Sequence, residues 1–156
     1  MTTAPSGNRA EMESRLRSVT AGAAAAVVWG LAEPLDQRLL RCDYSDIALL
    51  GKAVTRGHRW RAAGYAIHAV NGAIFGLAFH ELRRRLRVDP GRLAVAAAVG
   101  EHLTLYPLCY FIDRHHPAHG EPGVPPLFAN RRAFAQATWR HAVFGLILGR
   151  LAAGRS

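Results

Sequence analysis

The chain has 156 residues, enough for one compact domain and too few for two domains of ordinary size. Half of the residues are hydrophobic, yet the formal net charge is +9 at pH 7. The arginines fall mainly between apolar stretches, and the sequence has neither a basic helix with interleaved aromatic side chains nor a Cys/His finger spacing. We therefore expect no nucleic-acid partner.

Two apolar stretches in the first half of the chain are close to the ~20 residues that a bilayer-crossing helix needs. The first covers about residues 19–35 and carries no charge before Glu33. The second covers about residues 62–79 and is interrupted by His68. Residues 1–17 precede them as a polar tail.

The connection between these two stretches has its own pattern. Residues 43–55 place Ile47, Leu50 and Val54 on one side of a helix, which predicts a short amphipathic helix that ends before Gly57. We expect this helix to lie on the outer membrane interface.

Two further apolar stretches follow in the second half. The third covers about residues 90–112, with Asp89 as the predicted N-cap of its helix. The fourth covers about residues 133–153 and carries Arg140 and His141 in its interior. Four such stretches predict four transmembrane helices, and a soluble four-helix bundle is the alternative.

The two halves of the chain align without a gap at an offset of 73 positions. Pro34-Leu35 then falls on Pro107-Leu108, and both halves contain His-Ala-Val-x-Gly-x-x-x-Gly, starting at His68 and His141. We therefore predict an all-α, four-helix transmembrane bundle built from a duplicated two-helix hairpin, with parallel repeats. The membrane domain is residues 18–153, with repeats at about 18–81 and 91–154.

Loop charge predicts the orientation. The short link between the second and third stretches is rich in arginine (Arg83, Arg84, Arg85, Arg87 and Arg92). Positive loops stay on the cytoplasmic side, so we expect both termini inside (N-in/C-in) and a multi-pass protein of the cell (inner or plasma) membrane. The bilayer is the expected partner, together with a second copy of the chain.

Each half places a histidine in a ridge of small residues repeating at every fourth position. The ridges are Gly64, His68, Gly72 and Gly76 in the second stretch, and Ala137, His141, Gly145 and Gly149 in the fourth. Such ridges let membrane helices approach closely, so one interpretation is packing with an imidazole hydrogen bond across the interface. The other is that His68 and His141 face each other and hold a transition metal or the iron of a haem.

Other ionisable residues extend this histidine pair into a predicted His/Glu cluster. The metal-ligand candidates are His68, His102, His141, Glu33 and Glu101, with a secondary loop set of Asp113, His115, His116 and His119. Their spacing matches no specific metal motif. For Arg140 we expect an ion pair with Glu101 or Glu33, or else contact with an anionic group such as a lipid phosphate or a haem propionate.

The sequence has no nucleophile elbow, P-loop, dinucleotide fingerprint or Cys-x-x-Cys, which favours a role without catalysis. Three functions remain open: a membrane protein that binds a metal ion or haem, a carrier or channel-like protein with a proton or ion relay, and a structural or oligomerising membrane protein.

Overall fold

The computed structural model describes residues 5–153, and every regular element in that range is helical. The helices are α1 (Pro5–Leu40), α2 (Asp46–Val54), α3 (Trp60–Arg85), α4 (Pro90–Leu105), α5 (Cys109–His115) and α6 (Arg131–Ala153). A 3₁₀ turn at Tyr106–Leu108 joins α4 to α5. The predicted all-α class is confirmed.

Three helical segments are long and apolar enough to cross a membrane: Gly7–Leu40, Trp60–Arg85 and Pro90–His115. They include the first three predicted spans. The fourth predicted span, α6, is long enough at 23 residues but is not among them. Its middle carries Gln136, Arg140 and His141, which lower its hydropathy.

The surface of these helices has the character that a bilayer requires. On α1, Leu31, Leu35 and Leu39 are 66%, 64% and 81% exposed and follow one face of the helix. Val70 and Ile74 on α3 are exposed in the same way. Large exposed apolar patches mark interaction or membrane surfaces, since they are unfavourable in water.

Two helix boundaries differ from the predicted ones. α1 begins at Pro5, so the described part of the polar tail is helical. At its other end, α1 continues through Pro34 to Leu40. At Pro107 the helix instead passes through the 3₁₀ turn, since proline has no N–H to donate to the helical ladder. The predicted N-cap of α4 is present: the Asp89 carboxylate accepts the backbone N–H of Arg92 at 2.9 Å.

Small residues bring the long helices together in two pairs. In the α1–α3 pair, a Cβ added at Gly72 or Gly76 would overlap the carbonyl oxygen of Gly22 or Ser18. In the α4–α6 pair, a Cβ added at Gly145 would lie 2.6 Å from the Cα of Val95. Backbone approaches of this kind leave no room for larger residues at these positions.

Contacts at the two ends of the bundle define its directions. At one end, the Arg83 guanidinium at the end of α3 donates to the Ala152 carbonyl of α6 at 3.1 Å and to Ser14 Oγ of α1 at 3.4 Å. The start of α1 and the ends of α3 and α6 therefore lie together, and we call this the terminal end. Near it, α1, α3, α4 and α6 form an apolar core that includes Phe79 and Leu148.

At the opposite end, α2 packs against the start of α3 and under the loop between α5 and α6. Ile47 and Ala48 of α2 are 4% and 1% exposed. The Lys52 ammonium donates to the Pro122 carbonyl at 2.8 Å. The structure thus buries one face of α2 between the bundle and this loop, where an interfacial helix was expected.

A first prediction concerns the glycine contacts. Gly76→Ala places a methyl group against the Ser18 carbonyl and destabilises the protein by about 1–3 kcal/mol, because overpacking forces the backbones apart. Gly100→Ala is the control, since an added Cβ there meets nothing within 4 Å. Thermal unfolding in detergent measures both. Equal Tm values for the two variants would contradict the close packing of α1 and α3.

Candidate functional site

The most buried charge in the described part of the chain is Arg140 in the middle of α6, at 2% exposure. Its Nε and Nη2 donate to the two carboxylate oxygens of Asp36, each at 2.8 Å. Its Nη1 donates to Asp46 at 2.8 Å and lies 3.4 Å from Glu33. We call these four residues the arginine cluster. It joins α6 to the end of α1 and the start of α2.

Glu33 has a second role, at the N-terminus of α2. One of its carboxylate oxygens accepts the backbone N–H of Asp46 at 2.7 Å, and the other accepts the Ser45 hydroxyl at 2.6 Å. The Ser45 oxygen in turn accepts the N–H of Ala48 at 2.9 Å as the N-cap of α2. A carboxylate is favourable here because the first N–H groups of a helix lack partners within it.

Two further hydrogen bonds join the arginine cluster to its neighbours. The Tyr44 carbonyl accepts Arg140 Nη2 at 2.9 Å, and the Gln136 amide donates to Asp36 at 2.8 Å. Burial alone would raise the pKa of Asp46, but the Arg140 guanidinium, the His68 and His141 rings and the Tyr44 hydroxyl together lower that pKa to about 2. Asp46 therefore stays ionised. All three nitrogens of the Arg140 guanidinium donate to protein acceptors. No N–H group of Arg140 is therefore left for the lipid phosphate or haem propionate considered above.

Beside the arginine cluster lies a cavity of about 490 Å³ that we call the histidine cavity. Its polar lining comprises Asp46, His68, Asn71, Glu101, Arg140 and His141. Trp29, Phe75 and Phe144 supply aromatic walls. All the long helices contribute to it, and its volume lies in the range of ordinary small-ligand sites.

The histidine cavity opens sideways and is closed toward the terminal end. Ile74 of α3 and Leu105 of α4 line it and are 62% and 48% exposed, so its opening lies between these two helices. Phe75 and Phe144 meet edge to face at 5.3 Å and pack against the apolar core of the terminal end. The cavity is therefore a pocket and not a continuous pore.

The structure brings part of the predicted His/Glu cluster to this cavity. His68 and His141 both line it, as does Glu101. His102 is buried next to it, with its ring 4.8 Å from that of His141 and its Nε2 3.0 Å from Thr138 Oγ1. Glu33 lies in the arginine cluster instead, since its carboxylate is held by α2 and Arg140.

The residues that line the histidine cavity differ in whether their polar atoms have hydrogen-bond partners. His141 Nδ1 is 2.8 Å from the Ala137 carbonyl. His68 Nε2 is buried with no hydrogen-bond partner among residues 7–153. Glu101 is exposed at the cavity opening, and within the same range it forms no ion pair or hydrogen bond. The expected Arg140 ion pair therefore forms with Glu33 and not with Glu101.

Within the described residues, no three His, Cys, Asp or Glu side chains are arranged to hold a metal ion. In the secondary loop set, Asp113 accepts the backbone N–H groups of Leu127 and Phe128 at 2.9 and 2.8 Å. His116 Nε2 is 2.8 Å from the Leu49 carbonyl, and His115 Nδ1 is 2.9 Å from the Phe111 carbonyl. These contacts give Asp113, His115 and His116 structural partners, and metal binding by this loop stays a prediction.

Sequence reasoning missed Asp36 and Asp46, two of the three carboxylates around Arg140. The predicted first span ended at Leu35, which left Asp36 in a solvated loop. The informative pattern was the spacing of Glu33 and Asp36, which are three residues apart and share a helix face once α1 extends to Leu40. Asp46 had no comparable pattern, since its position depends on how α2 folds back.

Comparison with known proteins gave no match: no family model, no curated protein and no solved structure is significantly similar to this chain.

A second prediction tests the arginine cluster. Arg140→Met leaves the buried carboxylates of Glu33 and Asp36 and the partly buried carboxylate of Asp46 without their cation and destabilises the protein by about 3–5 kcal/mol, because the uncompensated charges stay desolvated. Denaturant unfolding in detergent is the measurement. Arg150→Gln, which changes an exposed arginine of the same helix, is the control. Adding Asp36→Asn to Arg140→Met restores part of the loss; an additive or larger loss would show that the pair does not interact.

Proposed function

We propose that the protein is a multi-pass membrane protein with four crossing helices and both termini inside. The apolar surfaces of α1, α3 and α4 support three of the crossings. For α6, Trp139 and Leu146 are exposed while Gln136 and Arg140 are 0% and 2% exposed. Its polar groups thus face the bundle, where the arginine cluster compensates them, and ionisable groups inside a membrane require that arrangement.

The duplicated hairpin belongs to the same proposal. In the α1–α3 pair, Gly76 meets Ser18. In the α4–α6 pair, a Cβ added at Gly149 would lie 2.8 Å from the Cα of Gly91. Both residues of the second contact are 73 positions after those of the first. Equivalent packing of the two helix pairs is what parallel repeats would produce.

Within this architecture we propose that the histidine cavity binds a proton or a small cation and carries it. The observation that supports this most directly is the unpaired Glu101 at the opening of a cavity that also contains Asp46, His68 and His141. The arginine cluster behind it sets three carboxylates against one guanidinium. When all three carboxylates are ionised, the net charge of the arginine cluster is negative and attracts positive charge into the cavity.

The closed terminal end favours a carrier over an open channel. The apolar core formed by residues such as Phe79 and Leu148 packs against Phe75 and Phe144 on the side of the cavity that faces the terminal end, which supports a site closed on that side in this conformation. A carrier binds its cargo in such a pocket and then changes conformation to open the other side. Glu101, His68 and His141 would exchange the proton or cation.

A third prediction follows for transport. In liposomes loaded with a pH-sensitive dye, Glu101→Gln lowers the proton flux by about tenfold or more, since the amide neither holds nor releases a proton. Glu81→Gln is the control, because Glu81 is a half-exposed carboxylate at the terminal end of α3, away from the cavity. Wild-type flux equal to that of empty liposomes, or equal flux in the wild type and Glu101→Gln, would refute the carrier role.

Binding of a haem iron or a metal ion is the second candidate. The observation that favours it is that His68 and His141 line the same cavity and that His68 Nε2 lacks a partner among the described residues. His68 and His141 would hold a haem iron, whereas a closed metal site needs more ligands than the described residues bring together.

A fourth prediction separates this candidate from the carrier. If the histidines ligate iron, the protein purified in mild detergent shows a Soret band or a stoichiometric metal, and His68→Ala or His141→Ala removes it. His58→Ala, in the exposed turn before α3, leaves it unchanged. A colourless, metal-free wild type excludes the cofactor role and leaves the carrier untouched.

A further inference from the structure

A second concave surface lies on the outside of the α4–α6 pair, away from the histidine cavity. It is a groove of about 760 Å³ whose apolar lining includes Val95, Val99, Leu103 and Leu146. At its terminal end it has two arginines, Arg92 and Arg150, together with Asp89. We call it the α4–α6 groove.

The two arginines are available to a ligand. Both are exposed, and within residues 7–153 neither guanidinium forms an ion pair or a hydrogen bond. The neighbouring Arg83 and Arg84 differ, since they hold Ala152 and Glu11. Asp89 contributes a negative charge, but its carboxylate is engaged as the N-cap of α4. The end of the groove is therefore net positive.

From its arginine end to Leu103, the groove extends over about the thickness of one hydrocarbon leaflet. Val95, Val99 and Leu103 follow each other at every fourth position, so they form one stripe along α4. From Arg92 to Leu103 the helix rises ~16 Å. Half of a hydrocarbon core that is ~30 Å thick is ~15 Å. A phospholipid whose acyl chain lies on this stripe would have its headgroup at the arginines.

From this match we infer that the α4–α6 groove is a binding site for an anionic phospholipid of the cytoplasmic leaflet, with its phosphate at Arg92 and Arg150 and an acyl chain along Val95, Val99 and Leu103. Guanidinium groups pair well with phosphate oxygens, and the cytoplasmic leaflet carries the anionic lipids. The inference rests on the proposed membrane placement with the terminal end inside. It does not depend on what the histidine cavity binds.

The test is native mass spectrometry of the protein in micelles that contain phosphatidylglycerol or phosphatidylcholine. The wild type retains one phosphatidylglycerol with an affinity about tenfold or more above that for phosphatidylcholine. Arg92→Gln with Arg150→Gln removes this preference. Arg85→Gln with Arg87→Gln is the matched control, because it removes two exposed arginines at the same end that do not line the groove.

A third variant tests the acyl chain separately from the charge. Gly100→Leu fills the groove while keeping both arginines, and its new side chain enters open space, so the fold is preserved. It weakens phosphatidylglycerol binding about as much as the Arg92/Arg150 double variant does. An unchanged Tm confirms that this variant is folded.

Three results would overturn the lipid site. If the Arg85/Arg87 control loses the preference for phosphatidylglycerol as fully as the Arg92/Arg150 double variant does, diffuse charge, and not the groove, holds the lipid. Full binding by Gly100→Leu shows that no acyl chain occupies the groove. Glycerol phosphate that competes at the same concentration as phosphatidylglycerol shows that the site takes a soluble phosphate. None of these outcomes bears on Glu101 or on the proton flux, so the carrier role stands or fails separately.

Discussion

The position of one charged side chain, Arg140, constrains most of the bundle. A guanidinium in the middle of a buried helix face must find acceptors for all its donors, since water is excluded there. It finds them on Asp36, on Asp46 and on the Tyr44 carbonyl. These groups lie in three successive parts of the chain, so the end of α1, the turn after it and the start of α2 are all fixed relative to α6. Without this cluster, α2 would be held only by its packing on α3 and by its contacts with the loop between α5 and α6, such as the hydrogen bond from Lys52 to the Pro122 carbonyl.

The bundle combines two kinds of packing at its two ends. Toward the terminal end, glycines bring α1 against α3 and α4 against α6, and small apolar residues such as Ala25 and Ala94 fill the space between the pairs. Toward the opposite end, α2 and the arginine cluster occupy the interior, and α3 and α4 make few contacts with each other. The histidine cavity is the space that remains between them. Its place is a consequence of inserting α2 into one end of the bundle.

The histidine cavity and the α4–α6 groove differ in charge. The histidine cavity combines Glu101 and Asp46 with aromatic walls and backs onto a cluster rich in carboxylates. The α4–α6 groove ends in Arg92 and Arg150. In a membrane both features hold ionisable groups next to lipid, which is costly unless they serve binding. A cation in the first and a lipid phosphate in the second would each neutralise the charge that the fold places there.

The sequence by itself determined the helical class, the positions of three apolar spans and the N-cap at Asp89, because hydrophobic periodicity and capping are local properties of the chain. It also grouped His68, His141 and Glu101, which line one cavity in the structure, through their depth in the predicted spans. It did not determine the partners of Arg140. Asp36 and Asp46 were hidden because the extent of α1 beyond Pro34 and the folding of α2 into the bundle depend on tertiary contacts. The contact of His116 depends on tertiary structure in the same way: its Nε2 meets the Leu49 carbonyl across the fold, and nothing local to its sequence indicates that contact.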